Sequence, residues 1–366
     1  MHYKHSLLAA VLACASAAVP AAKAAAAAAA PVADPIVRPA DTVRQPARAY
    51  LTGVARAGKR IVAVGERGII ILSDDGGAHW RQARVPASVT LAAVHFPTPT
   101  HGWAVGHYGV VLHSRDGGET WTRQLDGVRA AQLTLQDARA RAGAAGGADY
   151  LAEAERLVAD GPDKPLLALH FSDERNGIVV GAYNLALRTR DGGASWIPLT
   201  GRIENPRGNH LYAVAAAGND VYIAGEQGLL LRSGDGGERF ERLGLPYQGS
   251  LFALAIADGQ LAVAGLGGNA FRSRDKGASW DRLAVPMPVS ITAMRAQGGA
   301  LFLVNQAGKL LRAGAAGPAV VLDTPPLAPL ADVLVEPDGT LVAVGMSGAV
   351  RLPAQPGPTH ASIAAK

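Results

Sequence analysis

Apolar residues along this chain come in short runs broken by glycine, aspartate or asparagine, without the three- and four-residue spacing of helices. In one stretch the runs read LYAVAA (211–216), DVYIAG (220–225), GLLLRS (228–233) and RFERL (239–243). Such apolar and β-branched runs between turn residues predict strands. The four-run pattern recurs. Aligned on the glycine that closes the second run, Gly65, Gly106, Gly181, Gly225, Gly265 and Gly345 fall in register, with Asn305 in the same place in LFLVNQAG. Successive steps are 41, 75, 44, 40, 40 and 40 residues. One period repeated seven times with a single insertion predicts an all-β chain, a seven-bladed β-propeller over residues 50–352.

Between the third and fourth runs of five units stands Ser/Thr-x-Asp-x-Gly-x-x-aromatic: SDDGGAHW (73–80), SRDGGETW (114–121), TRDGGASW (189–196), SGDGGERF (233–240) and SRDKGASW (273–280). In a hairpin turn, Asp75, Asp116, Asp191, Asp235 and Asp275 accept hydrogen bonds from turn amides and the following glycine takes positive φ. Trp80, Trp121, Trp196, Phe240 and Trp280 then wedge between sheets. These are expected to be fold residues. A calcium loop needs several more oxygen ligands per copy, and Lys276 would put a cation inside the fifth.

The seventh unit supplies strands near 331–335, 340–345 and 348–352, with no clear fourth. A ring must close, so PIVRPADTVRQPARA (35–49) is the expected donor, which makes 25–49 a linker with a ring-closing strand. The proline-rich segment 353–366 reads as a flexible tail.

In a propeller the second-to-third turns and the blade connections share one face; the third-to-fourth turns occupy the other. The Asp turns therefore lie opposite a face that varies from unit to unit: Glu66-Arg67, His107-Tyr108, Tyr183-Asn184, Glu226-Gln227, Leu266, Gln306 and Met346. Variation on a uniform scaffold points to recognition. The insertion 126–165 joins the second and third units on that face. Leu133, Leu135, Ala138 and Ala142, then Leu151, Ala154, Leu157 and Val158, form two amphipathic stretches around GAAGG. They predict a helical hairpin that grips a partner or shields an edge. The connection IPLTGRIENPRGNH (197–210) adds Arg202, Glu204, Asn205, Arg207, Asn209 and His210.

Arg188, Arg232, Arg272 and Arg312 share one repeat position at the end of the third strand, where His113 and Leu72 stand in the second and first units. They either form an arc for carboxylates or make salt bridges beside the Asp turns. Small residues line the expected channel, with His95 and His170 at matching levels. Two histidines without a third ligand do not make a metal site, and no metal or other cofactor is expected.

The opening 24 residues read as a secretory signal, with Lys4, an apolar run at 7–13 and a small-x-small site at 22–24. Cys14, the chain's one cysteine, is preceded by VLA, which partly resembles a lipoprotein acylation box. The mature chain then has no thiol, and no later apolar run reaches the ~20 residues of a membrane span. An exported, periplasmic protein follows, soluble or tethered by lipid at Cys14. Its formal charge of +5 falls to +3 once Lys4 and Lys23 leave with the signal, too mild for nucleic acid.

With the export signal, the Asp turns, seven units and GWAVGHYGVVLHSRDGGETW (102–121), the sequence resembles the photosystem II stability and assembly factor family. Over 50–352 it looks most like bacterial members without a photosystem, found near transporters of the resistance-nodulation-division type. The insertion and ENPRGNHLYAV (204–214) look specific to that branch. The resemblance implies an assembly chaperone for a membrane protein, on the lumenal or periplasmic side, and a monomeric, non-enzymatic scaffold is expected. It also implies that an arginine-rich patch engages the partner, with Arg188, Arg232, Arg272 and Arg312 as candidates. His107, Tyr108, Tyr183, Asn184, Arg202, Glu204, Asn205, Arg207 and His210 complete the expected partner-binding set.

Sialidases and some other glycoside hydrolases carry the same Asp box, which supplies the alternative of a hydrolytic or glycan-binding propeller. A sialidase-type site needs three arginines, a tyrosine nucleophile with an acidic base, and an acid. No Arg-Ile-Pro motif opens the first unit, and Tyr108 and Tyr183 have no acidic pair placed beside them in the repeat.

Overall fold

The computed structural model describes residues 34–144 and 146–354; the signal segment with Cys14, the start of the linker and the chain beyond residue 354 lie outside them. The apolar runs form seven consecutive antiparallel sheets, six of four strands and one of three, each with strands in sequence order. The first strands of neighbouring blades touch all the way round, and Leu330–Val335 of the last meets Leu51–Ala57 of the first. This is the seven-bladed β-propeller that the period predicts.

The second strands are buried almost throughout, as in Arg60–Gly65, because each face of a blade meets a neighbour. Ile61 and Ala63 pack with Val342 and Val344 of the seventh blade, while Val62 and Val64 pack against the second. Strands buried on both faces read as continuous apolar runs, and each such Val or Ile is worth about 1.5–3 kcal/mol. One apolar cluster fills each of the seven seams. The repeated glycine has a steric cause: a Cβ on Gly65 would lie 2.1 Å from the Tyr50 carbonyl oxygen, and one on Gly181 2.1 Å from that of Pro165.

Ring closure differs from the expectation. Among the described residues, 34–49 contain a 3-10 helix, Pro46–Arg48, and no strand, and the seventh blade keeps three strands. Residues 35–43 run instead along the first blade's outer edge, where Ala40 N donates to the Val85 carbonyl and Ser88 N to that of Pro35. Ala47 and Ala49 pack beside Val342 and Ala349, so this segment covers the seam without adding to the sheet. Three prolines in 35–49 explain why: each removes a ladder donor.

The insertion is two helices, α1 (Gly127–Arg141) and α2 (Gly147–Asp160), between the outer strand Thr122–Leu125 of blade two and the inner strand Leu166–Phe171 of blade three. The Asp126 carboxylate caps α1 by accepting from Arg129 N at 3.0 Å. Ala138, Ala154 and Tyr150 pack the helices together, while Ala130, Leu133 and Leu157 join the seam between blades two and three. Among the described residues no helix is long and apolar enough to cross a membrane.

Candidate functional site: a cleft beside the helical insertion

The two longest departures from the repeat meet. Gly201 lies so close to Tyr150 of α2 that a Cβ there would stand 2.6 Å from the ring, and Tyr150 donates its hydroxyl to Asp137 Oδ2 at 3.1 Å. Between α2 and the 197–210 connection opens a cleft of about 380 Å³, lined among others by Glu153, Leu157, Lys164, Tyr183, Pro206 and Arg207. Burial raises the Glu153 pKa, with Arg156 pulling it back.

Tyr183 stands at the cleft mouth, 57% exposed. Its backbone is left-handed (φ 53°), as is that of Tyr108 (φ 58°), where the fifth blade has Gly267. A non-glycine residue held there is strained by about 1–3 kcal/mol, and Arg67 and Gln227 (φ 52° each) bear the same cost on their turns, so the conformation belongs to the repeat while the exposed ring is particular to Tyr183. Lys164 Nζ lies 5.5 Å from the Tyr183 ring centroid, and the His210 ring meets it edge-on at 4.6 Å. Tyr183 N donates to His210 Nδ1 (3.2 Å), and His210 N donates to Glu226 Oε2 (2.9 Å).

Other expected rim residues have structural roles. Asn184 and Asn205 are buried, and Asn205 Nδ2 donates to both Asn184 Oδ1 and the Asn209 carbonyl. They shape the connection and offer nothing to solvent. Arg202 turns to Glu238 (3.4 Å), whereas exposed Arg207 donates to Gln227 Oε1 (3.0 Å) and Glu204 is exposed. His107 and Tyr108 sit on the equivalent turn of blade two.

The opposite face carries the Asp turns. Ser114 donates its hydroxyl to Asp116 Oδ1 (2.8 Å) and accepts from Gly118 N (2.8 Å), while Thr120 N donates to Asp116 (3.0 Å). The same triad recurs at Asp75, Asp191, Asp235 and Asp275. Hydrogen bonds from Ser279 and Ser273 hold the Asp275 pKa down to about 2. Trp121 donates Nε1 to the Gly118 carbonyl and packs edge-on to Phe96 at 5.9 Å. Trp80 likewise bonds Gly77, Trp280 bonds Gly244 of the preceding blade, and Trp196 and Phe240 are buried.

The four position-matched arginines share that side of the ring but not one exposed arc. Arg188 is buried and bonds Glu238 Oε2 (2.6 Å) and the Gly237 carbonyl; Arg232 pairs with Asp220 (2.7 Å). Arg272 is buried and Arg312 half-buried. Arg188 depends on what the next blade places in the seam, whereas Arg232 is held by Asp220 of its own blade, and the repeat position alone reveals neither.

In the channel His95 and His170 stack at 5.2 Å, and His95 Nδ1 accepts from Phe171 N, so its lone pair is engaged. Burial lowers the His95 pKa to about 3, with His170 and Arg295 adding to the shift. Among the described residues no cluster of three or more His, Cys, Asp or Glu is placed to hold a metal ion. The channel's strongest pairing, Arg295 with Asp332, has no signature in the sequence because Asp332 lies in the irregular seventh unit. Nor does the role of Tyr212, whose hydroxyl donates to Glu226 Oε1 at 3.2 Å. Burial and Glu226 push that phenol up to about 12, the reverse of what a nucleophile requires.

The comparisons with known proteins agree with this architecture. The structure described as "YCF48 bound to D1 peptide" superposes with a TM-score of 0.61 at 15% identity, covering 86% of this chain and 98% of that one. An ancestral GH74 enzyme superposes with a TM-score of 0.62 at 10% identity, over 83% of this chain and 45% of its own. Both likenesses show the fold alone. In sequence, the Photosystem II assembly lipoprotein Ycf48 of Synechococcus sp. (strain CC9902) is 34% identical over 77 residues, which span 21% of this chain and 23% of that relative. The profile of the Photosynthesis system II assembly factor YCF48 family matches residues 75–139 and 156–357, most of the propeller, and the chain belongs to that family.

Proposed function

We propose that this protein is a non-enzymatic, periplasmic binding scaffold that helps assemble a membrane-protein complex. The face carrying α1, α2 and the 197–210 connection is its contact surface. One observation carries the reading: two separate departures from the repeat converge on one cleft, and a strained, exposed tyrosine stands at its mouth. The assembly role in the name of the Synechococcus relative, and the D1 peptide bound to the superposed YCF48, support a membrane-protein client. The insertion departs from the photosynthetic pattern, so the client we favour is a transporter of the resistance-nodulation-division type. Burial and Glu226 raise the Tyr212 pKa, which weighs against a sialidase-type tyrosine nucleophile at that one position.

The test is affinity capture from detergent-solubilised envelope membranes, comparing the native chain with a Tyr183→Gly, Arg207→Ala double variant. Glycine adopts the Tyr183 backbone without strain, so the variant keeps its fold. The native chain is expected to retain a specific membrane complex that the variant loses at unchanged thermal stability. Equal capture by both would remove the cleft from the interface, and glycan hydrolysis without capture would favour the hydrolase.

A further inference from the structure

Blade seven is one strand short among the described residues. Its third strand, Gly348–Leu352, pairs inward with Leu341–Gly345, and no described strand pairs with its outer edge. In five other blades one recurring bond closes that edge. Ala83 N donates to the Ile70 carbonyl, Leu199 N to that of Ala186 and Leu283 N to that of Ala270, at 2.8–2.9 Å, and blades four and six repeat the bond. Val350 stands in the place of Ile70, and its carbonyl has no donor among the described residues. A bare strand edge is a template for an extended segment.

The N-terminal side of the chain is committed elsewhere. Residues 35–43 are held on blade one, where Val43 N donates to Gln82 Oε1 (3.0 Å) and Gln82 Nε2 to the Asp41 carbonyl (2.9 Å). Ala47 then supplies the connection into the first blade: a Cβ on Gly348 would lie 1.9 Å from its carbonyl oxygen, as one on Gly68 would lie 2.0 Å from that of Ala87. Only the strand before that connection is missing.

The C-terminal side carries the signature of that strand. Leu72 precedes Ala83 by eleven residues, as Arg188 precedes Leu199 and Arg272 precedes Leu283, and the same step from Leu352 reaches Ile363. Six residues before each of those apolar positions stands Gly77, Gly193 or Gly277, at φ 87–94°, and six before Ile363 stands Gly357. The turn does not require an aspartate. Blade six forms its outer strand Val320–Val321 after Gly317-Pro318, and Gly357-Pro358 repeats that pair. Ala83, Leu199 and Leu283 each pack into the seam with the next blade, a place that Ile363 suits by its apolar side chain.

We propose that the outer edge of Gly348–Leu352 is a docking site for the chain's own C-terminal segment. Residues 361–363 form the fourth strand of blade seven, Ile363 N donates to the Val350 carbonyl, and the Ile363 side chain covers the seam with blade one. The docked strand closes the edge against other extended chains. The site lies on the rim of the ring, apart from the cleft, and stands whether or not the cleft is an interface.

Amide hydrogen exchange on the full chain tests this, with Ile363→Asp and Ala365→Asp as variants. Docking should slow exchange at Ile363 by about 100-fold or more relative to a free peptide. It should also protect Leu352, whose amide faces the open edge as that of Leu72 faces Arg81. Ile363→Asp is expected to remove the protection at Leu352 and lower Tm by about 2 °C or more, while Ala365→Asp, beyond the strand, changes neither. Free-peptide exchange at Ile363 in the native chain would overturn the proposal, and so would equal effects of the two substitutions. Protection at Leu352 alone, rising with protein concentration, would give the edge to a second copy and overturn it as well.

Discussion

Asp332 Oδ2, on the innermost strand of blade seven, accepts a buried hydrogen bond from Val54 N on the innermost strand of blade one, 3.1 Å away. The same carboxylate accepts from Arg295 Nε (2.9 Å) and Val333 N (2.8 Å) and is 3% exposed. With the Arg56–Glu336 ion pair at 2.6 Å, it joins the first blade to the last where, among the described residues, no strand is exchanged.

Asp332→Ala should therefore destabilise the ring more than a typical surface change. It strands the Val54 amide and leaves Arg295 without its partner. Because Arg295 opens to the channel, the loss should sit near the low end for a broken ion pair, about 3 kcal/mol. Chemical denaturation would measure it, and Asp332→Asn, which retains an acceptor for one of the two amides, should lose less.

Replacing Asp116 or Asp191 with alanine should cost about 1 to 3 kcal/mol, because each carboxylate ties a hydroxyl and a turn amide together. Partner capture by the folded variants should persist. Capture lost at full stability would give these aspartates a role beyond the turn.

His113 predicts a pH dependence. It is buried against Trp103, with ring centroids 4.4 Å apart, and burial, then Arg115 and His101, lowers its pKa from 6.5 to about 4. Its folded pKa lies below its unfolded one, so the unfolded chain takes up the proton first. The stabilisation of the neutral ring is complete above pH 6.5 and is lost as pH falls toward 4, on the order of 2 kcal/mol. Tm measured across that window should fall less steeply in His113→Leu, the residue that blade one has at this position. An unchanged slope would mean that His113 does not titrate with folding.

Much of the scaffold is legible in the sequence because its physics is local and repeated. Apolar runs, Ser-Asp-Gly turns and the spacing of Leu133, Ala138, Leu151 and Ala154 all declare elements within a few residues. The pairings across seams are not local. Arg188 and Arg272 look alike in the repeat, yet the next blade gives Arg188 the carboxylate of Glu238 and gives Arg272 none among the described residues. Closure through Asp332 and Val54 likewise links residues 278 positions apart, with no pattern in either neighbourhood. Asn184 and Asn205 read as rim residues until their mutual hydrogen bond shows them folded inward.

Site-specific photocrosslinking would decide which face of the propeller meets the client. A photoreactive phenylalanine would replace Tyr183 at the cleft mouth or, on the opposite face, His79, an exposed residue of an Asp turn. The cleft position is predicted to capture a membrane protein in intact cells, and position 79 to capture none. Crosslinks from position 79 with none from position 183 would instead put the partner on the Asp-turn face and exclude the cleft.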